Sequence, residues 1–535
     1  MEFNLADLYE SVADAIPDRE ALVCGERRLT YRQLDERATR LANHLAAQGV
    51  RQGGHVGLYL YNGTEYIEAS LAAYKIGACA ININYRYVQE ELEYLFDNAD
   101  LVGLIHHREF APRIAAVAAK TPKLRTFVSV DDGSGADVSG LGSADYEASL
   151  AGASTERKFA LRSGDDVYIL YTGGTTGMPK GVMWRHEDLF FSALMGANPY
   201  GPAPERPEQV AESAAMRGVV CSLPAAPLMH GAAQWATFIN LYGGGKTVLT
   251  QGKSFDAHLV WQLVQDEKVN TIAIVGDAMA RPLAEALDQP GASYDLSSLR
   301  VIGSGGATFS EPMKEQLKKH LPNLVVMDNF GGSEGGAQGQ HVGRGADGTA
   351  PRFRPEPSTA VLSLEEHKQL EPGTGEVGWL AKKGRIPLGY YKDEAKTAAT
   401  FVTVDGVRWA LPGDYALVEA DGTITLLGRG SACINSGGEK IYPEEVEAAL
   451  RSHPGVFDAV VVGVPDERWG ERVMAVVQAR AGALLTLDEL DKHCRGHVSG
   501  YKVPRGLTIV DELVRQPSGK PDYRWAKSVA AGSSS

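Results

Sequence analysis

The sequence predicts an α/β protein: a large N-terminal portion of mixed, largely parallel sheets covered by helices, with a small β unit, followed by a small α+β portion. Three observations predict this. Segments of strand and helix character alternate through the first three hundred or so residues, and repeated strand–helix units imply a largely parallel sheet covered on both faces. From about Asp347 the pattern changes to short strands broken at Gly373-Thr374-Gly375, Asp405-Gly406 and Asp421-Gly422, which reads as a small β unit. After Gly428-Arg429-Gly430 a separate segment begins, within the ordinary size range of a domain. At 535 residues the chain is too long for one compact core, so two or more domains are expected.

In order, a short first helix is followed by Ala21–Thr30, a hairpin turning at Gly25. Leu34, Ala38, Leu41 and Leu45 fall on one face of a helix that Gly49 ends. His55–Leu60, Ala80–Asn84 and Leu101–His106 read as strands, with Thr64–Gly77 and Val88–Asn98 as the helices between them. Pro122–Ser154 is rich in Gly, Ser and Ala and carries only a weak pattern. A second α/β run starts near Asp165. Within it Pro199–Arg217 reads as a proline-rich surface insertion, and Val269–Val275, Leu299–Ile302 and Leu324–Met327 as buried strands. In the last segment Pro443–Ser452 and Leu487–His497 are helices, Ala459–Val464 and Val473–Gln478 strands. The tail from Ala530 reads as disordered.

Composition narrows the class of function. Hydrophobic content of 44% and charged content of 22% are those of a soluble globular protein, and a net charge of −14 argues against a nucleic-acid partner. Cys24, Cys79, Cys221, Cys433 and Cys494 are scattered and show no Cys-x-x-Cys spacing, so reduced thiols in a cytoplasmic protein are expected, without a zinc site or disulfide frame. Neither a signal peptide nor a membrane-spanning apolar run is visible, and self-association is left open.

The most unusual stretch is Tyr171-Thr-Gly-Gly-Thr-Thr-Gly-Met-Pro-Lys-Gly-Val182, which leaves the apolar strand Val167–Tyr171. Gly173, Gly174 and Gly177 let backbone N–H groups converge, and Thr172, Thr175, Thr176 and Lys180 add hydroxyls and a cation. The functional reading is a polyphosphate cradle; the plain reading is a glycine-rich turn. A Walker loop is excluded because Lys180 is followed by Gly181 where that motif needs Ser or Thr.

Further along, Asn329-Phe330-Gly331-Gly332-Ser333-Glu334 offers a stacking ring, a hydroxyl and a carboxylate suited to a hard cation. Gly331 to Gly335 also fits the Gly-x-Ser-x-Gly elbow of a serine hydrolase, for which Asp414 and His453 can be nominated as acid and base. That alternative leaves the glycine–threonine stretch and the last segment unexplained.

Taken in order, these strings resemble the motifs of the adenylate-forming superfamily, which includes acyl-CoA synthetases, luciferases and peptide-synthetase adenylation domains. The resemblance covers essentially the whole chain. Residues 171–182 resemble its phosphate loop, and Asn329–Glu334 its Tyr-Gly-x-Thr-Glu motif, with Phe330 for Tyr and Ser333 for Thr. Gly303-Ser304-Gly305-Gly306-Ala307 resembles the wall between adenine and acyl sites, and Pro227–Gly231 the Pro-x-x-His-Gly segment beside the carboxylate. Leu411–Asp414 resembles the ribose-binding Thr-Gly-Asp without its Thr. Ser436–Pro443 resembles the loop of the thioester step, and Gln516–Lys520 the Pro-x-Gly-Lys motif. Ser431 stands where the family usually has Asp or Lys at its hinge, and Pro521-Asp522-Tyr523 departs from the usual basic continuation.

The resemblance implies an N-terminal ATP- and acyl-binding domain over 1–429 and a mobile C-terminal lid over 430–535. It implies that ATP is held by Thr172, Gly173, Gly174, Thr175, Thr176, Gly177, Lys180, Ser304, Gly305, Asn329, Phe330, Ser333, Asp414, Arg429 and Lys520. Mg²⁺ falls to Glu334, the acid to His230, Gly231, Trp235, Gly305 and Gly331, and CoA to Gly437, Gly438, Glu439 and Lys440. Lys520, Glu334, His230 and Arg429 carry the chemistry: a carboxylate and ATP give acyl-AMP, and CoA then displaces AMP. Within the superfamily, Met178–His186 and Gly519–Trp525 look most like actinobacterial acyl-CoA synthetases of steroid side-chain breakdown, with long-chain fatty acids as the alternative substrate. Trp235 and Phe238, three residues apart, are expected on nearly one helix face, where they fit either a wide apolar slot or plain core packing.

Overall fold

The computed structural model describes residues 1–174, 177–199, 201–307, 309–344, 351–429, 432–436, 439–466, 470–498, 500–515 and 520–532. Asn4 opens the first helix, Leu5–Ala15, its side-chain oxygen accepting from the N–H groups of Ala6 and Asp7. The strands Glu20–Cys24 and Arg27–Thr30 pair antiparallel about Gly25, whose φ of +57° suits a residue without Cβ. Thr30 and Gln33 form a reciprocal capping box that starts the helix Tyr31–Ala47. Leu34, Ala38, Leu41 and Leu45 are all fully buried along it, and each leucine contributes about 1.5–3 kcal/mol of apolar burial.

Glu20–Cys24, Lys246–Leu249, Cys221–Pro224, Thr271–Ile274, Val301–Gly305 and Val325–Gly332 lie side by side in parallel. A second sheet of Cys79–Asn82, His55–Tyr59, Leu101–His107, Thr126–Val130 and Ala144–Asp145 is parallel throughout. These are the strand–helix alternations read from the sequence. No helix among the described residues is long and apolar enough to cross a membrane.

The small β unit continues the large sheet: Gly336–Arg344 and Pro351–Pro355 carry it antiparallel into Ile424–Arg429, Asp414–Val418 and Gly378–Lys383. Three expectations need correction. Pro122–Ser154 supplies two strands of the second sheet and the helix Tyr146–Ala151. The supposed insertion Pro199–Arg217 contains the helix Glu208–Met216, which buries Val210 and Ala214. Ala530 is fully buried within the helix Tyr523–Gly532, packed among Val460, Val462 and Val476, so the chain stays ordered to residue 532.

The C-terminal strands Val456–Asp466 and Gly470–Ala479 form an antiparallel pair with apolar residues on both faces. Val461, Val473 and Val477 meet Val446, Leu450 and Leu490 on one side, and the last helix covers the other.

Candidate active site

A cavity of about 1560 Å³ opens at the carboxyl ends of Thr271–Ile274, Val301–Gly305 and Val325–Gly332, where ligands bind in parallel α/β sheets. It exceeds the roughly 300–1,000 Å³ of an ordinary small-molecule pocket, which leaves room for more than one substrate. Among the described residues ten Lys or Arg and eight Asp or Glu line it, a slight cationic excess in a chain whose net charge is −14.

The glycine–threonine stretch is not a loop leaving a strand. Val167–Gly174 runs on through the glycines and pairs antiparallel with Gly177–Arg185, so the stretch is the tip of a hairpin. Thr175 and Thr176 at that tip lie outside the described residues. Thr172 and Lys180 face each other across the ladder and both line the cavity. The Lys180 ammonium is bonded to Asp393. Asn82 clasps the base of this hairpin: its amide donates to the carbonyls of Tyr171 and Met229 at 2.8 Å each and accepts from Tyr171 N–H at 2.7 Å. Sequence reasoning missed Asn82.

The second glycine-rich stretch is also a hairpin. Val325–Gly332 turns at Ser333-Glu334-Gly335 into the antiparallel Gly336–Arg344. A strand–turn–strand cannot be a nucleophile elbow, which needs strand–turn–helix. His453 moreover lies 3.4 Å from Glu489 and against His493, outside the cavity lining, so the hydrolase triad of Ser333, Asp414 and His453 does not form. Trp184 donates to the Ser333 carbonyl at 2.9 Å and Tyr390 OH to Glu334 Oε1 at 2.9 Å. Both donors belong to the sheet of the first hairpin, so the two glycine-rich tips are tied to each other.

Asn329, Phe330, Gly331, Ser333, Glu334, Ser304, Gly305, Asp414, His230, Gly231, Trp235 and Lys520 all line the same cavity. One flank of Phe330 packs toward Phe353 at 5.4 Å. The Ser304 hydroxyl accepts the Gly276 N–H at 3.0 Å, which aims it at the backbone. Asp414 stands opposite Arg429 in the ladder that leads into the C-terminal segment. Gly437 and Gly438 lie outside the described residues; Glu439 and Lys440 belong to the short strand Glu439–Ile441, paired with Ile434–Ser436.

His230 immediately precedes the helix Gly231–Tyr242, and its Nε2 is inaccessible and unpartnered among the described residues. Burial, followed by the positive charges of Lys520 and Arg86, pushes its pKa down to about 4, so the ring is neutral near pH 7. Lys520 from the end of the chain thus reaches the same space as His230. The aromatic pair divides: Trp235 lines the cavity, while Phe238 is buried against Tyr242 and Tyr74 in the core.

A large polar cavity at strand carboxyl ends, lined by two glycine-rich hairpins, is a site of the kind that nucleotide-using α/β enzymes carry. The model of the AMP-binding enzyme family matches residues 9–391, and that of the AMP-binding enzyme C-terminal domain matches residues 445–520. The chain belongs to the AMP-binding enzymes. It is 51% identical to a 3-oxocholest-4-en-26-oate–CoA ligase of Rhodococcus rhodochrous, over 98% of this chain and 96% of that protein. It is 52% identical to a medium/long-chain-fatty-acid–CoA/3-oxocholest-4-en-26-oate–CoA ligase of Mycobacterium marinum, over the same shares. The anthranilate CoA ligase AuaEII, solved with anthranoyl-AMP, superposes with a TM-score of 0.84 over 99% of this chain and 98% of that one, at 24% identity, which supports the fold alone. With CoA ligases among its full-length relatives, the chain is an acid–thiol ligase of the AMP-forming kind.

Proposed function

We propose that this ligase activates a bulky apolar carboxylic acid, a steroid side-chain acid first and a long-chain fatty acid second, through acyl-AMP to the CoA thioester. The observation that carries the proposal is the cavity: beside its charged part it has an apolar flank built from Trp235, Ala236 and Ile239, too large for a short acid. The full-length relatives named for cholestenoate and fatty acids support the same reading.

In this reading the hairpin of Thr172 and Lys180 cradles the phosphates and the Asp414 carboxylate holds the ribose. Phe330 and the backbone of Gly305 flank the base, and Arg429 grips the nucleotide where the two proposed domains, 1–429 and 430–535, join. Neutral His230 places the acid by hydrogen bonding, since a ring titrating near 4 carries no countercharge at pH 7. Lys520 neutralises the charge that builds as the carboxylate oxygen attacks the α-phosphate and pyrophosphate leaves. Glu334 is a fitting holder for Mg²⁺: one carboxylate in a phosphate site, with no cluster of three or more acidic, His or Cys ligands among the described residues, suits an ion held largely by phosphates and water. When bound, the ion would shield the phosphate oxygens. Gly437, Gly438, Glu439 and Lys440 supply the CoA path after the C-terminal domain turns.

The test is acid-dependent release of pyrophosphate from ATP across a panel of acids. Each buried methylene is worth about 0.8 kcal/mol, so steroid and long-chain acids should exceed acetate by several orders of magnitude in kcat/KM. Acetate turned over as well as those acids would overturn the substrate reading and leave the ligase chemistry standing.

A further inference from the structure

Lys382 lies in the strand Gly378–Lys383, only 4% exposed, and lines the cavity. Its ammonium donates to Ser192 Oγ at 3.0 Å and to the carbonyl of Ala337. No carboxylate bonds to it among the described residues, and an ammonium has a third N–H to give. Burial pulls its pKa down to about 8, only weakly countered by the charge of Glu356. An unpaired buried cation costs stability, so its presence calls for a partner that arrives from outside.

A second donor lines the same cavity. Gln338 follows the Ala337 that Lys382 bonds, is 2% exposed, and lines the cavity with its Nε2 unpartnered. Space for these groups is kept by two glycines. A Cβ on Gly335 would lie 2.8 Å from the Gln338 side chain, and one on Gly336 would lie 2.6 Å from Ser192 Oγ. Ser192 belongs to a wall that continues through Ala193 and Met195, which with Trp235 and Ile239 line the apolar flank. The two spare donors therefore sit at the border of an apolar slot.

We propose that Lys382 and Gln338 bind an acceptor oxygen, a ketone or hydroxyl, that the acid carries far from its carboxylate, and so select oxygenated ring acids over plain alkyl acids. The inference rests on the steroid reading of the cavity. A site built to donate to an oxygen discriminates strongly against an analogue lacking it, because its buried donors are then left unpaired.

The experiment compares kcat/KM for a 3-oxo steroid side-chain acid with that for its 3-deoxo counterpart in wild type, Lys382→Met and Gln338→Leu. The wild type should prefer the oxo acid by about ten- to a hundredfold, the span of one charge-assisted hydrogen bond. Lys382→Met should bring the ratio to near one, and Gln338→Leu should reduce it. A purely structural role would lower both rates and leave the ratio intact, which overturns the inference. The infrared carbonyl stretch of the 3-oxo acid bound to wild type needs no variant. It should fall below its position in an apolar solvent, and an unshifted band overturns the inference. Activation of both acids without preference removes this inference alone, whereas activation of neither removes the steroid reading beneath it.

Discussion

The hairpin that carries Ser333 and Glu334 cannot take a side chain at Gly331 without opening, and that gives a sharp test of its place in catalysis. A Cβ at Gly331 would sit 2.3 Å from the Gly336 carbonyl oxygen, 3.2 Å from that carbonyl carbon and 3.3 Å from Ala337 Cα. A relaxed C···O contact is about 3.3 Å or more, so Gly331→Ala must open the hairpin by roughly 1 Å. All three colliding atoms are backbone, so no rotamer change relieves the contact. Overpacking of this kind costs about 1–3 kcal/mol of stability, which a protein of this size survives. Displacing positioned groups by 1 Å costs about a hundredfold in rate. Gly331→Ala should therefore fold, by circular dichroism, and lose about a hundredfold in kcat/KM for pyrophosphate release. The same methyl at Gly332 meets nothing nearer than Glu334 Oε2 at 4.0 Å and should cost far less. Activity of Gly331→Ala within threefold of wild type would refute the assignment of this hairpin to the adenylation step.

Three further outcomes are expected. Lys520→Ala should lower acyl-AMP formation by at least about a hundredfold while largely sparing CoA transfer from supplied acyl-AMP, and NMR should show His230 titrating higher once the nearby charge is gone; equal loss in both half-reactions would contradict the role. Asp393→Asn keeps an acceptor for the Lys396 N–H but releases Lys180 from its half-exposed ion pair, so the KM for ATP should fall by up to about fivefold, and a rise would contradict a phosphate role for Lys180. Burial holds His186 near a pKa of about 3 and His106 near about 4, both below their ordinary 6.5. Their folded pKa values are depressed, so their contribution is complete above pH 6.5 and is lost as pH falls toward those values. His186 alone should cost about 2 kcal/mol between pH 7 and pH 5. Thermal melts that do not move over that interval would show that these rings are not held neutral.

What the sequence revealed, and what it hid, divides along the range of the interactions. The helix Tyr31–Ala47 was legible because Leu34, Ala38, Leu41 and Leu45 recur every three or four residues, and its cap lies within the same turn. The glycine–threonine stretch stood out by composition, yet the third strand of its sheet, Gly389–Tyr390, comes from about two hundred residues away. Trp235 and Phe238 fall about 60° apart on a helix of 3.6 residues per turn. At the edge of a cavity that angle is enough to give one ring to the void and the other to the core. A lysine in a strand reads as solvated, and contacts with Ser192, 190 positions earlier, and with the Ala337 carbonyl, 45 positions earlier, make Lys382 a buried donor. Asn82 is the clearest case. It joins Tyr171 and Met229, 89 and 147 positions away, and so fixes the strand that enters the first hairpin against the segment that presents His230. Its amide is satisfied on both sides in a buried position, where an unpaired one would cost about 1–3 kcal/mol. The hairpin proposed to cradle phosphate and the histidine proposed to place the acid are therefore held in register by a residue that neither motif contains.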